Sequence, residues 1–144
     1  MRREQLSELL EQVARGELDV TRALSRLSLP DSESLPFATI DHHRAIRQGY
    51  PEVIFGSGKT TDQIIAIAER LAGHGDGFLA TRVDTSAHAA LQSRFPGVEI
   101  NELGRTAYLA PETPPPAGRG TILVVTAGTS DLPVAEEAAV TASA

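Results

Sequence analysis

Residues 52–71 read EVIFGSGKTTDQIIAIAERL, and this stretch decides the fold class. A short β-branched and aromatic run, Glu52–Phe55, ends at the turn-forming Gly56-Ser57-Gly58. Thr60 with Gln63 then satisfies the capping-box pattern. Ile64, Ile67, Ala68 and Leu71 recur at helical spacing and predict one buried face over 61–71. The local reading is strand, turn, capped helix. The same alternation continues: Phe78–Val83 predicts a strand, Asp84 caps a helix over Thr85–Arg94, and Pro96-Gly97 terminates it. Phe37–Ile40, Val98–Ile100 and Thr106–Leu109 complete a set of short β-like runs. An α/β domain over 31–110 is predicted.

Upstream, Leu6, Leu9, Leu10 and Val13 repeat at helical spacing until Gly16 offers a left-handed stop. Asp19 caps a second helix whose stripe is Val20, Ala23, Leu24 and Leu27, ended by Pro30. Residues 1–30 therefore read as a helical hairpin, too small to stand alone, and 29–35 as a loop. Downstream, PETPPPAGRG (111–120) holds four of the nine prolines and reads as an extended linker. The run Thr121-Ile-Leu-Val-Val-Thr126 is apolar on both faces, as in a central strand of a doubly wound parallel sheet. Leu132 to Ala144 is helix-like. One strand and a partial helix cannot make a domain, since each parallel neighbour needs a crossover unit. The expectation is that 121–144 begins a second, incomplete domain, and that the chain is a fragment.

The 144 residues carry 19 acidic and 13 basic side chains, a formal net charge of -6, and Lys59 is the lone lysine. That balance argues against a general nucleic-acid binder. No cysteine is present, which excludes disulfides and a cysteine nucleophile within these residues. No apolar stretch approaches a membrane span, and the amino terminus lacks a signal-peptide pattern. No membrane partner is expected, and the cytoplasm is the expected location.

Three motifs bear on chemistry. Gly56-Ser57-Gly58-Lys59-Thr60 invites a phosphate-loop reading, but Val53 stands where a Walker A loop requires glycine, so a plain turn with a helix cap competes with a weaker anion contact by Lys59. Asp41-His42-His43-Arg44 offers donors and acids, yet adjacent histidines diverge in a strand. His74 lies in a Gly-rich turn and His88 on a helix surface, so no metal site is expected. Arg44 and Arg47 read as an anion contact, an interface pair or a solvated turn. Ala127-Gly128-Thr129-Ser130-Asp131 follows the apolar run and opens a helix, where doubly wound sheets place ligands. Gly128 permits close approach, and Thr129, Ser130 and Asp131 supply hydroxyls, amides and a carboxylate for a phosphate or ribose; helix capping by Ser130 or Asp131 is the alternative. Glu136 and Glu137 lie one turn on and could equally form a solvated face.

Two segments together, DHHRAIRQGYPEVIFGSGKT (41–60) and ILVVTAGTSDLPVAEEAAVT (122–141), resemble the LarB family of nickel-pincer cofactor biosynthesis. That resemblance implies an N-terminal α/β domain followed by a domain similar to PurE, the aminoimidazole ribonucleotide carboxylase, here stopping early in its first strand–helix unit. It further implies carboxylation of the pyridinium ring of nicotinic acid adenine dinucleotide by CO2 or bicarbonate, with hydrolysis of the phosphoanhydride to release AMP. In the family a cysteine thiolate is believed to activate the ring, and this chain has none. The loop 126–131 matches the family's first strand-to-helix loop: Ser130 and Asp131 align with the end of the PurE pattern Gly-Ser-x-Ser-Asp, while Ala127 and Gly128 replace its beginning. Asp131 is the candidate catalytic residue; Gly128, Thr129, Ser130, Asp131, Arg44 and Lys59 are the candidate substrate-binding residues. Glu52 and Arg47 also fall on the family's N-terminal motif. The resemblance implies a homo-oligomer, an octamer for an intact PurE-like domain, and Mg2+ is compatible with the hydrolysis although no ligand set for it is visible. An inactive isolated chain is expected. A non-catalytic assembly module of a split enzyme and a purine-pathway carboxylase relative are the rival readings.

Overall fold

The computed structural model describes residues 3–27, 32–42, 44, 52–113, 118 and 120–144. The chain forms two compact units, Met1–Glu52 and Val53–Ala144.

In the first unit, α1 (Arg3–Ala14) is followed by α2 (Val20–Leu27). Asp19 caps α2: its Oδ1 accepts from the amides of Thr21 at 2.7 Å and Arg22 at 3.4 Å. Leu9 and Ala23 are buried, whereas Leu10, Val20 and Leu24 are exposed. The expected stripes are thus only partly covered, because helices of two or three turns share a short line of contact. A hairpin follows, β1 (Ser32–Leu35) antiparallel to β2 (Ala38–Asp41), with Leu35 opposite Ala38 and Ser32 opposite Asp41. The part of the expected 29–35 loop that is described is therefore strand. Ile40 is the buried anchor of this hairpin.

The second unit is a four-stranded sheet with helices. Its strands are β3 (Val53–Phe55), β4 (Phe78–Thr81), β5 (Glu99–Asn101) and β6 (Thr106–Leu109), in the order β3-β4-β6-β5. β3 runs parallel to β4, and β4–β6 and β6–β5 are antiparallel. All four residues of β4 are buried, as a central strand requires. Between β3 and β4 runs α3 (Thr61–Gly73). Thr60 Oγ1 accepts from the Gln63 amide at 3.3 Å, and the Gln63 side chain accepts from the Thr60 amide at 3.0 Å, which closes the capping box. Ile64, Ile67, Ala68 and Leu71 are buried, each large side chain contributing about 1.5–3 kcal/mol. α4 (Thr85–Arg94) starts at Asp84, whose Oδ1 accepts from the Ala87 amide at 2.8 Å. Phe78 and Phe95 meet edge to face at 5.1 Å between centroids. The architecture is mixed α/β with a mixed parallel and antiparallel sheet.

The run 121–126 is not a strand. None of its residues pairs with a neighbour, and Leu123 is 80% exposed. A β-strand exists only through its ladder bonds, and among the described residues no partner strand lies beside this run. A single 3-10 turn, Thr129–Asp131, then leads into α5 (Leu132–Ser143), in the place where a helix is expected.

Candidate functional site

The loop 128–131 sits at the amino end of α5. Gly128 is extended (φ -122, ψ 151), the Asp131 amide donates to the Gly128 carbonyl at 3.2 Å, and Thr126 Oγ1 donates to the same carbonyl at 3.4 Å. No side chain caps the 3-10 turn or α5. Capping by Ser130 or Asp131, the alternative use of these residues, is therefore not what the structure contains. Thr129, Ser130 and Asp131 are exposed. Two hydroxyls, a carboxylate and the positive end of the α5 dipole face outward together.

What holds this helix is a set of contacts one turn later. Glu137 takes the Arg82 Nε–H, with 2.9 Å to Oε1 and 2.8 Å to Oε2. Glu136 Oε2 accepts from Asn101 Nδ2 at 2.7 Å, while Asn101 Oδ1 accepts from the Gly104 amide at 2.8 Å. A Cβ on Gly104 would stand 2.9 Å from Glu137 N and 3.1 Å from Glu136 C, so the helix backbone lies directly against this glycine. Glu136 and Glu137 are docking residues rather than a solvated face. Arg82 has φ 55, the left-handed region, a conformation that costs a side-chain-bearing residue roughly 1–2 kcal/mol. Sequence gave no signal for Arg82, Asn101 or Gly104, because a left-handed arginine and a close helix contact depend on tertiary placement.

Lys59 is engaged locally. Its ammonium donates to the Phe55 carbonyl at 2.8 Å, and its amide closes a turn on the Gly56 carbonyl at 3.0 Å with Gly58 at φ +79. The motif 56–60 is thus a turn and a helix cap. Among the described residues no hydrogen bond or ion pair joins Lys59 to 128–131. Arg44 belongs to the first compact unit, where Nη1 lies 3.5 Å from Glu52 Oε1 and Nε is buried without a partner. His43 and Arg47 lie outside the described residues.

Each described histidine has a local setting of its own. His42 is buried, with Nε2 3.3 Å from Glu33 Oε2, and His74 Nδ1 sits 2.7 Å from the Arg70 carbonyl at the end of α3. His88 is buried at 6% exposure, not on the helix surface. It shares the inward face of α4 with Ala87 and Leu91. Burial holds its pKa below the ordinary value, more strongly than the charges of Glu102 and Asp84 raise it. Among the described residues no group of three or more His, Cys, Asp or Glu could hold a metal ion, and no helix is long and apolar enough to cross a membrane.

Comparison with known proteins places this architecture. The family described as the LarB/PurE-like N-terminal domain matches residues 32–111, more than half of the chain. A curated protein of Methanocaldococcus jannaschii, described as the uncharacterized protein MJ0165, is 33% identical over 104 residues, which cover 69% of this chain and 41% of that protein. The chain thus spans about two fifths of the length of the relative it matches. With an α/β unit of the expected strand and helix order lying under the family match, the chain belongs to the family that carries the LarB/PurE-like N-terminal domain.

Proposed function

We propose that this chain is the N-terminal portion of a LarB-like enzyme that carboxylates the pyridinium ring of nicotinic acid adenine dinucleotide and hydrolyses its phosphoanhydride. The observation that carries the reading is the loop 128–131. Its hydroxyls and carboxylate are free of capping duty, and it opens a helix docked on the α/β unit through Glu136 and Glu137. In this reading the helix end and the amides of Thr129 and Ser130 hold a phosphate oxygen, the Ser130 hydroxyl donates to the same group, and Asp131 accepts from a ribose hydroxyl.

The chemistry needs more than these residues provide. A cationic ring must first gain electron density before its carbon attacks CO2; a thiolate adding to the ring would supply it, and loss of the proton from the carboxylated carbon with expulsion of the thiolate would restore the pyridinium. The 144 residues contain no cysteine, so the thiolate comes from outside them and the isolated chain is inactive. Water then attacks phosphorus, the phosphoanhydride P–O bond breaks, and AMP leaves. Among the described residues no group of three or more His, Cys, Asp or Glu could hold Mg2+ for this hydrolysis. The proposal includes homo-oligomeric assembly through the completed PurE-like domain and a cytoplasmic setting.

A second reading is favoured by one observation. Ile122, Leu123 and Val125 are 73%, 80% and 78% exposed, as in a strand that is buried only when another sheet receives it. The chain would then act as the assembly half of a split enzyme.

The test is AMP release from nicotinic acid adenine dinucleotide with bicarbonate. The 144-residue chain alone releases none, and the chain joined to a cysteine-bearing PurE-like domain of the family releases AMP, with Ser130→Ala and Asp131→Ala impairing it. AMP release by the chain alone, or joined-domain activity indifferent to both substitutions, would overturn the reading.

A further inference from the structure

Among the described residues, two that bear a side chain hold the left-handed backbone region, Arg82 at φ 55 and Arg105 at φ 54, and both act on the short stretch that follows β4. Arg105 clamps that stretch. Its Nε donates to the Val83 carbonyl at 3.2 Å and its Nη2 to the Arg82 carbonyl at 3.4 Å, while the Val83 amide donates to the Arg105 carbonyl at 2.8 Å. The turn 56–60 rests on the same backbone. The Gly56 amide donates to the Thr81 carbonyl at 2.7 Å, and a Cβ on Gly56 would stand 2.9 Å from Thr81 O and 3.0 Å from Arg82 O. Close approach therefore demands glycine at 56, and residues 81–83 are fixed by two elements at once.

The backbone at 82 suits glycine, which takes a left-handed φ without strain. An arginine there is strained, and the strain persists because the surrounding bonds over-determine it. Its side chain reaches from the clamped stretch to α5, with Nε 2.9 Å from Oε1 and 2.8 Å from Oε2 of Glu137. Glu136 is held separately, by Asn101 at 2.7 Å. The 3-10 turn Thr129–Asp131 runs into α5 without a break, Leu132 already being αR. Glu137 stands six residues after Asp131, about 9 Å along the helix axis. A tilt of about 10° at this contact therefore moves the loop by roughly 1.5 Å. Hydrogen-bond lengths vary by only a few tenths of an ångström, so the angle of α5 decides where the groups of 128–131 point.

We propose that Arg82 is a positioning residue: through Glu137 it sets the angle at which α5 presents the loop 128–131, and the turn 56–60 acts on that loop through the same arginine. The claim rests on the function proposed above in one respect, that the loop is a phosphate and ribose site. It gives the turn 56–60 a use other than anion contact by Lys59, whose ammonium is engaged by the Phe55 carbonyl. Gly56 seats the backbone of 81–82, Arg105 holds its carbonyls, and the Arg82 side chain carries that fixed position to the helix.

The decisive variant is Arg82→Gly, which suits φ 55 and removes only the side chain. In the free 144-residue chain, hydrogen exchange of 132–143 quickens by about 3- to 10-fold, while 61–73 keeps or gains protection because the backbone strain is gone. The amide resonances of 128–131 move. Arg82→Glu loosens α5 in the same way, and adding Glu137→Arg restores it. Gly56→Ala moves the 128–131 resonances in the parent chain and has no such effect in Arg82→Gly. With nicotinic acid adenine dinucleotide as the probe, Arg82→Gly raises Kd by about tenfold, and the double charge reversal recovers the parent value. Parent-like exchange of 132–143 in Arg82→Gly, an equal loss in 61–73, or a charge reversal that restores nothing overturns the proposal. So does an unchanged Kd in a chain whose α5 has loosened. A Gly56→Ala effect that persists in Arg82→Gly overturns the part played by the turn. A parent chain that binds no dinucleotide, while Arg82→Gly still moves the loop resonances, removes the function proposed above and upholds the positioning role.

Discussion

Replacing Gly104 by alanine isolates the contact that docks α5. The new Cβ would stand 2.9 Å from Glu137 N and 3.1 Å from both Glu136 C and Glu136 Cβ. Two of these three atoms are backbone, so no rotamer change can yield the space, and the helix itself must retreat. Overpacking of this kind costs about 1–3 kcal/mol. The lower entropy of the unfolded alanine chain returns about 0.4–1 kcal/mol. Retreat also stretches the bonds from Asn101 to Glu136 and from Arg82 to Glu137, now 2.7 Å and 2.8–2.9 Å, each worth about 0.5–1.5 kcal/mol. The net expectation is an opening free energy for α5 lower by about 1–2 kcal/mol, hence amide exchange faster by roughly 5- to 30-fold. Hydrogen-exchange mass spectrometry of peptides from 132–143, with peptides from 61–73 as internal reference, reads this directly. The matched control is Gly73→Ala, where no atom lies within 4 Å of the added Cβ; it stabilises by up to about 1 kcal/mol and leaves α5 alone. Unchanged protection in 132–143, or an equal loss in 61–73, would refute the docking argument.

Thr60→Ala removes the acceptor of the capping box and lowers stability by about 1 kcal/mol, read as a shift in denaturant midpoint at constant slope. His88 gives a pH dependence whose sign is fixed by its lowered pKa. The unfolded chain takes up a proton below pH 6.5 before the folded one does, so stability from this group is full above that pH and falls as pH drops through it. The difference in midpoint between pH 8 and pH 5.5 should therefore shrink in His88→Gln, and an unaltered difference would place His88 in water. Leu123→Asp, at a side chain 80% exposed, changes the stability of this chain by no more than about 0.5 kcal/mol. The same substitution should abolish joining to a PurE-like domain in a pull-down, and retained joining would remove 121–126 from the interface.

Elements whose signals are local were legible in the sequence. The capping box of Thr60 and Gln63, the Asp84 cap and the stripe Ile64, Ile67, Ala68 and Leu71 each act within one helix, and each stands where the pattern put it. What escaped depends on partners outside the element itself. Ser32–Leu35 is poor in β-branched residues and becomes a strand through its ladder with Ala38–Asp41. His88 looks polar in the chain, yet tertiary packing turns it inward beside Ala87 and Leu91. The run 121–126 shows the converse: a strong strand pattern stays unpaired and exposed when none of the described residues offers it a neighbouring strand. At the candidate site the hydroxyls and carboxylate of 129–131 were readable, whereas the docking of their helix by Arg82, Asn101 and Gly104 was not. The left-handed conformations of Arg82 and Arg105 carry no local sequence mark at all.

The central claim is that the loop 128–131 grips the phosphate and ribose of a pyridine dinucleotide. Its most direct test is an amide chemical-shift titration of the 144-residue chain with nicotinic acid adenine dinucleotide, repeated on Asp131→Asn. The account predicts that the largest shifts fall on Gly128, Thr129, Ser130 and Asp131 and shrink in the variant. Shifts confined to other parts of the chain, or none at all, would contradict it.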